Sequence, residues 1–335
     1  MKKNVFLIGD NREIMGTFDS GAFDFIYMDP PYNTGRNFGH FEDKWSSSAD
    51  YKEFMRPVIE QSHRLLGESG NIAIHVEPKI SHHIKSILDD VFGEKNYRNT
   101  IVWKTGGNKK TSHYLPRRHD EIIVYSKNKN KNPTFHPQYQ PYDEEYKKRN
   151  SVKICPTTKR EYVTSACHNA QPNVIVRENL RYEWNGHEKQ WWWSKELMQQ
   201  RHDEGRLAYN ANGIPRVKKY LDEMSGIPLS DVWTDVTPPS KKEKLDYATQ
   251  KPVLLLERLL KLYSGEGSLV LDPFAGSGTT GRAALNLGRN YVLLDINDHG
   301  KAEFEKSISE VDLKSTTCEK KEKNTNTRVD SPQKQ

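Results

Sequence analysis

The stretch Leu269-Val270-Leu271-Asp272-Pro273-Phe274-Ala275-Gly276-Ser277-Gly278-Thr279 is an apolar strand that ends in an acidic residue and runs into a Gly-x-Gly turn. Helical spacing follows from Thr280 to Leu287. A strand, turn and helix of this kind bring a ligand against the backbone at a helix N-terminus, because glycine permits both the turn and the close approach. Taken alone, Gly-x-Gly also fits a tight structural turn. Asp295 adds weight: it closes the next strand, Tyr291 to Leu294, 17 residues after Gly278, where a carboxylate accepts hydrogen bonds from ribose hydroxyls. No third glycine follows at the dinucleotide spacing, so adenosine in a cofactor smaller than NAD fits better.

Working outward, a helix from Pro252 to Tyr263 precedes this stretch, and the N-terminal residues repeat the same alternation. Val5 to Ile8 reads as a strand ending at Gly9-Asp10, and Phe23 to Met28 as a second ending at Asp29-Pro30-Pro31-Tyr32. A helix over residues 50–66, a strand from Asn71 to Val76, a helix from Ile80 to Val91 and strands Ile101 to Trp103 and Glu121 to Tyr125 follow. Short apolar strands between amphipathic helices predict an α/β fold, a mostly parallel open sheet with helices on both faces. From about 128 to 245 the chain turns polar and rich in Pro, Asn, Lys and Trp, and after about 311 almost nothing is apolar, which predicts a disordered tail at 311–335. The glycine-rich turn sits near the end, although such a turn normally opens a nucleotide-binding sheet. That order predicts a circularly permuted sheet, with the C-terminal strands inserted beside the N-terminal ones and the break in the connection after Ile296.

Among 335 residues, 34% are hydrophobic and the mean hydropathy is −0.88, with no apolar stretch of bilayer-spanning length. The start, Met1-Lys2-Lys3-Asn4, runs straight into a strand rather than a signal peptide, so the expected location is cytoplasmic, with no membrane partner. Cys155, Cys167 and Cys318 form no close pair, and Cys167-His168 lacks a second ligand pair, so the cysteines read as reduced thiols and no metal is expected. The net charge of +6 is unevenly spread: residues 101–250 carry 26 Lys and Arg against 18 Asp and Glu, leaving the remainder at −2. The same stretch holds six of the seven tryptophans, a mixture that suits neutralising phosphates and packing against bases, although a solvated basic face has the same charge.

Asp29-Pro30-Pro31-Tyr32 stands at a strand's C-terminal end, where ligands of such sheets bind. Two prolines fix the backbone, so the Asp29 carboxylate and the Pro30 carbonyl can be aimed at one spot. An aromatic amine held there donates an N–H to each oxygen. Its nitrogen is a poor nucleophile because its lone pair is delocalised, and two acceptors stabilise the positive charge that develops on attack. Tyr32 offers a flat face for the ring, while the bland alternative is a rigid turn.

Asp29-Pro30-Pro31-Tyr32 after Phe25-Ile26-Tyr27-Met28, with Asn33-Thr34-Gly35 behind it, resembles the catalytic motif of amino-methyltransferases acting on DNA. Asp272 to Thr279 resembles their S-adenosylmethionine loop, Gly9-Asp10-Asn11 the short motif before the catalytic strand, and Thr249-Gln250-Lys251-Pro252 the segment opening the helix ahead of the loop. The order, catalytic motif first, is similar to the permuted beta class of N6-adenine and N4-cytosine methyltransferases. The likeness covers about 1–126 and 245–300. It implies a seven-stranded Rossmann-like methyltransferase sheet, divided into a catalytic part (1–127), an inserted target-recognition region (128–245) and a cofactor-binding part (246–310). It also implies catalysis by Asp29, Pro30, Pro31 and Tyr32, with S-adenosylmethionine bound by Asp10, Lys251, Pro252, Asp272, Phe274, Ala275, Gly276, Ser277, Gly278, Thr279 and Asp295. Of these, Asp10 is expected near the cofactor adenine and Lys251 on its methionine side.

Trp193-Ser194-Lys195-Glu196, Gly205-Arg206 and the run from Lys219 to Asp235 are similar to the modification subunits of type III restriction systems and their shorter relatives, the full-length subunits being considerably longer. Asp rather than Ser at the first motif position favours adenine over cytosine. The expected partner is double-stranded DNA, with the base flipped out for reaction; a cognate restriction endonuclease and a second copy of the chain are further partners to test. Lys109, Lys110, Arg117 and Arg118 cluster beside the catalytic sheet as phosphate contacts. Trp191-Trp192-Trp193 reads equally as a stacking platform or as core, and residues 33–45 as a mobile lid. Four rivals remain: N4-cytosine methylation; methylation of protein glutamine or RNA guanine, where the related motif usually begins with Asn; a catalytically silent DNA-binding regulator; and an NAD-linked oxidoreductase, the last opposed by the missing glycine.

Overall fold

A computed structural model of the chain describes residues 2–37, 42–106, 113, 115–168 and 177–309. It divides into two units, one made of residues 1–136 and 230–335 and the other of Pro137–Leu229. The stretches 128–136 and 230–245, read from composition as part of the insert, therefore belong to the first unit.

The first unit is built on strands β1 (Val5–Ile8), β2 (Phe23–Met28), β3 (Leu66–Val76), β4 (Tyr97–Lys104), β5 (His119–Ser126), β6 (Val232–Trp233), β7 (Leu269–Asp272) and β8 (Asn290–Asp295). They form one sheet in the order β1-β8-β7-β2-β3-β5-β4-β6. All neighbours are parallel except β5, which runs antiparallel to both β3 and β4. The count is eight rather than the seven expected from the family, because Val232–Trp233 adds a short edge strand to β4. The permutation is visible in the order: β7 and β8 lie between β1 and β2, with Val5 opposite Val292 and Val270 opposite Phe25. Continuous apolar runs suit these central strands, since helices cover both faces of a parallel sheet; all four residues of β7 are buried.

Helices α1 (Asn11–Gly16), α2 (Ser48–Leu65), α3 (Pro78–Phe92), α4 (Val253–Tyr263) and α5 (Thr279–Asn286) supply that cover. In α2 the buried residues Tyr51, Met55, Val58, Ile59, Ser62 and Leu65 recur at helical spacing, and the Ser47 hydroxyl caps the start by accepting from Asp50 N at 3.1 Å. β3 begins at Leu66, five residues before the strand read from the sequence, because the Gly67–Gly70 stretch breaks the apolar run but keeps extended pairing. The chain also continues past β8 into a helix over 299–309, which its alternating charges concealed. Phe304 of that helix meets Phe6 and Tyr291 at ring separations of 5.9 and 5.6 Å. The expected tail at 311–335 lies outside the described residues.

The second unit carries an antiparallel sheet ordered Leu207–Tyr209, Pro215–Tyr220, Glu161–Ala166, Lys153–Ile154. Beside it a hairpin pairs Arg181–Trp184 with His187–Gln190. Its two-residue turn is Asn185-Gly186, both at positive φ (47° and 77°), the pairing that a right-twisted hairpin prefers. Trp191 is fully buried with Cys167, Met198, Leu207 and Val217, and Trp193 packs against that cluster. Trp192 alone of the three tryptophans is exposed, at 43%.

Candidate active site

Three parallel strands, β2, β7 and β8, end on the same side of the sheet, and the segments leaving them line one cavity of about 720 Å³. Asp29, Pro30, Pro31 and Tyr32 leave β2; Asp272, Phe274, Ala275, Gly276, Ser277 and Thr279 leave β7; Asp295 ends β8. Asp10, after β1, and Lys251, before α4, complete the set of expected residues on its wall. Pro252 and Gly278 are not on the wall. Pro252 is the buried residue from which α4 starts. Gly278 begins α5 at φ 71°, and a Cβ there would meet the Phe304 ring at 2.5 Å, so this glycine serves packing.

Asp29 is the most engaged of the expected catalytic residues. The Tyr32 hydroxyl donates to its Oδ1, and Lys251 Nζ donates to its Oδ2 at 2.5 Å and to Tyr32 Oη at 3.1 Å. The Asp29 and Lys251 side chains keep 18% and 12% of their surface exposed, so the pair faces the cavity without being sealed from it. Burial, then the charge of Asp29, pushes the Tyr32 phenol well above its usual range, and it stays a donor. Lys251, expected at the methionine side of a cofactor, thus contacts the Asp29 carboxylate directly.

The loop after Tyr32 is pinned rather than free. Asp43, buried, accepts from the backbone N–H groups of Asn33 (2.6 Å) and Thr34 (3.1 Å) and from Thr34 Oγ1 (2.5 Å). Trp45 N donates to Asn33 Oδ1 at 2.9 Å, and the Trp45 ring packs on Tyr51 and Phe54. Both ends of the segment expected as a lid, 33–45, are thus hydrogen-bonded in this structure; Phe38, Gly39 and Phe41 lie outside the described residues.

The glycine-rich turn is organised by two carboxylates. Asp272 is buried and accepts from Phe274 N at 3.0 Å and from Thr280 Oγ1 at 2.5 Å. Burial pushes its carboxyl up to about 7, against the opposing pull of those two hydrogen bonds. Asp295 accepts from Gly276 N at 2.8 Å and from Asn297 N at 3.2 Å, and burial raises it as well. Gly276 sits at φ 51° with the Tyr247 ring 3.2 Å from where a Cβ would stand. Asp10 caps α1, accepts from Arg12 N at 2.9 Å and pairs with the Arg12 guanidinium at 2.5 Å, which holds its carboxyl below the usual range.

Of the four basic residues expected to contact phosphate, Lys109 and Lys110 lie outside the described residues. Arg117 lines the cavity and is ion-paired with Glu77, so it is not a free surface cation. Arg118 is exposed, and its backbone carbonyl accepts from Thr105 N at 2.9 Å. Residues that the motifs did not mark also reach the wall: Tyr27, Trp103, Asp120 and Tyr247. The signal for Trp103 and Asp120 was their position near the ends of paired strands, where they stand opposite each other.

A parallel sheet whose strand ends gather an Asp-Pro-Pro-Tyr turn and a glycine-rich loop into one cavity defines an α/β group-transfer enzyme. The chain belongs to the DNA methylase family, whose sequence profile matches residues 23–306. It is similar to the type II methyltransferase M.EcaI of Enterobacter cloacae, at 28% identity over 81% of this chain and 61% of that protein. It is also similar to the StyLTI Mod subunit, a type III restriction-modification enzyme of Salmonella typhimurium, at 26% identity over 88% of this chain and 52% of the subunit. The DNA adenine methyltransferase YhdJ of Escherichia coli is 26% identical over 86% of this chain and 77% of its own length. The chain therefore spans between about half and three quarters of these relatives.

Proposed function

We propose that this chain is a site-specific DNA methyltransferase that moves a methyl group from S-adenosylmethionine to the N6 amino group of adenine in duplex DNA. The observation that carries the reading is the Asp29 carboxylate, held on the cavity wall between Tyr32 and Lys251 and one strand away from the glycine-rich turn. The lining suits a cofactor with a sulfonium and an ammonium group, because Asp29 and Asp295 share the cavity with the rings of Tyr32, Tyr247 and Phe274. Asp295, with two of its acceptor sites committed to backbone, keeps others for ribose hydroxyls. Bound there, the cofactor supplies an electrophilic methyl group.

The rest of the chemistry belongs to the chain. Each oxygen of Asp29 holds one partner, Tyr32 on one and Lys251 on the other, and keeps a further lone pair for an arriving amino group. Asp29 then accepts an amino hydrogen and stabilises the positive charge that forms on nitrogen, with the Pro30 carbonyl as second acceptor and the Tyr32 ring as stacking face. The proton leaves through Asp29 or to water. Asp at the head of the motif supports adenine, as does the likeness to YhdJ. The basic, Trp-rich stretch containing the second unit supports a role in target recognition, and the likeness to a Mod subunit supports a restriction partner. Among the described residues no helix is long and apolar enough to cross a membrane.

The test is transfer of radiolabelled methyl to unmethylated genomic DNA, followed by digestion to nucleosides. Label is expected in N6-methyladenine and falls by about 10³-fold in Asp29→Ala, the loss typical of a missing charge stabiliser. Label in N4-methylcytosine overturns the choice of base, and absence of label despite cofactor binding overturns the reaction.

A further inference from the structure

In β3, Ile72, Ala73, Ile74 and Val76 are all fully buried, and so is the one polar residue among them, His75. An imidazole there must pair both nitrogens or lose its hydration uncompensated. Tyr27 Oη lies 3.0 Å from Nδ1, and Asp120 Oδ2 lies 3.3 Å from Nε2. Burial acts to raise the Asp120 carboxyl, but the hydrogen bond from His75, with Lys251 and Arg117 nearby, holds it below its usual range. An ionised carboxylate only accepts, so Nε2 carries the hydrogen and Nδ1 accepts from the Tyr27 hydroxyl.

The same ring braces its neighbours. Tyr32 leans on it at 6.3 Å with a 36° tilt, and Trp103 meets it edge-on at 5.5 Å. Trp103 is fixed from its other end by Nε1, which donates to Val236 O at 2.8 Å. Tyr27, Tyr32, Trp103 and Asp120 all line the cavity, and His75, which touches each of them, stands behind it. An apolar residue would fill this position without desolvating a polar group, so the network's contribution is a unique geometry rather than stability.

We infer that His75, oriented by Asp120, is the positioning residue of the target-base pocket, fixing the Tyr32 and Trp103 ring planes and the Tyr27 hydroxyl against which the base is held. The inference rests on the proposed methylation of DNA and extends it to residues outside every recognised motif. Its test compares wild type with His75→Leu and Tyr27→Phe, measuring turnover on genomic DNA, the affinity for S-adenosylmethionine without DNA, and the thermal midpoint. A positioning role predicts that kcat falls about 10- to 100-fold in His75→Leu and less in Tyr27→Phe, with cofactor affinity within about twofold of wild type. In ¹⁵N-histidine spectra, the signal lost in His75→Leu should report the Nε2–H tautomer in the wild type. Unchanged kcat, or a kcat that falls only in step with cofactor affinity and midpoint, overturns the inference, as does the opposite tautomer. Should His75→Leu not fold, Tyr27→Phe decides, because it removes a single hydroxyl. A wild type that labels no DNA overturns the functional reading and this inference together; an active wild type with unaffected variants overturns the inference alone.

Discussion

Asp29 and Asp272 stand at the ends of adjacent parallel strands and line the same cavity, yet their carboxylates are used in opposite ways. Asp272 is sealed in and turns both oxygens to its own loop, accepting from Phe274 N two residues on and from Thr280 Oγ1. Among the described residues Asp29 accepts no backbone hydrogen bond; its partners are the side chains of Tyr32 and Lys251, the latter 222 residues away. The residue at the second position explains the contrast. An aspartate readily accepts from the N–H two residues on, as Asp272 does. For Asp29 that residue is Pro31, which has no N–H. Proline there keeps a carboxylate from being consumed by its own turn and leaves it to the side chains of Tyr32 and Lys251.

This contrast predicts its largest effect in the pH dependence of stability. The folded Asp272 carboxyl sits near 7, above its unfolded value of 3.8, so the folded state binds the extra proton between these values. Its contribution is complete below about pH 4 and is lost as pH rises toward 7, with a slope of up to about 1.4 kcal/mol per pH unit. Chemical denaturation across pH 4 to 8 should show that slope flattened in Asp272→Asn relative to wild type; parallel curves would mean that Asp272 is already ionised in the fold.

A second way to break the comparison is Pro31→Ala, which gives Asp29 the N–H that Asp272 already has. Capture of the carboxylate by its own turn should lower methyl transfer about 10-fold, or about 1.4 kcal/mol in the barrier, at near-constant thermal midpoint. Full activity in that variant would show that the missing N–H is irrelevant. The smallest expected effect is on the Asp29–Lys251 pair itself. Because both side chains keep some exposure at the cavity wall, Lys251→Met should change unfolding free energy by about 1 kcal/mol or less. A loss several times larger would mean that the pair behaves as a sealed ion pair.

Much of the fold was legible because its signals are local. The apolar runs at Val5, Phe23 and Leu269 read as strands of a sheet, and the Asp-Pro-Pro-Tyr and glycine-rich turns follow their strands directly. The helix over 299–309 was missed because its few apolar residues are spread among charges, and only Phe304 shows what it covers. The Asn185-Gly186 hairpin carried a plain turn signal inside a segment whose polarity hid it. The edge strand at Val232–Trp233 was invisible for another reason: two residues have no periodicity, and pairing with β4 alone makes them a strand.

What the sequence determined by itself was therefore the strands of the central sheet apart from its short edge strand, their turns, the order of the motifs and the residue types expected at a cofactor site. These follow from spacing along the chain, where a proline, a glycine or an apolar run acts on its immediate neighbours. The tertiary structure decided which of those residues remain available. It tied Arg117 to Glu77, put Gly278 under Phe304, gave Lys251 to Asp29 and placed His75 between Tyr27 and Asp120. Each of those pairings joins parts of the chain far apart in sequence, and only packing brings them within the few ångströms at which a hydrogen bond or a buried charge is settled.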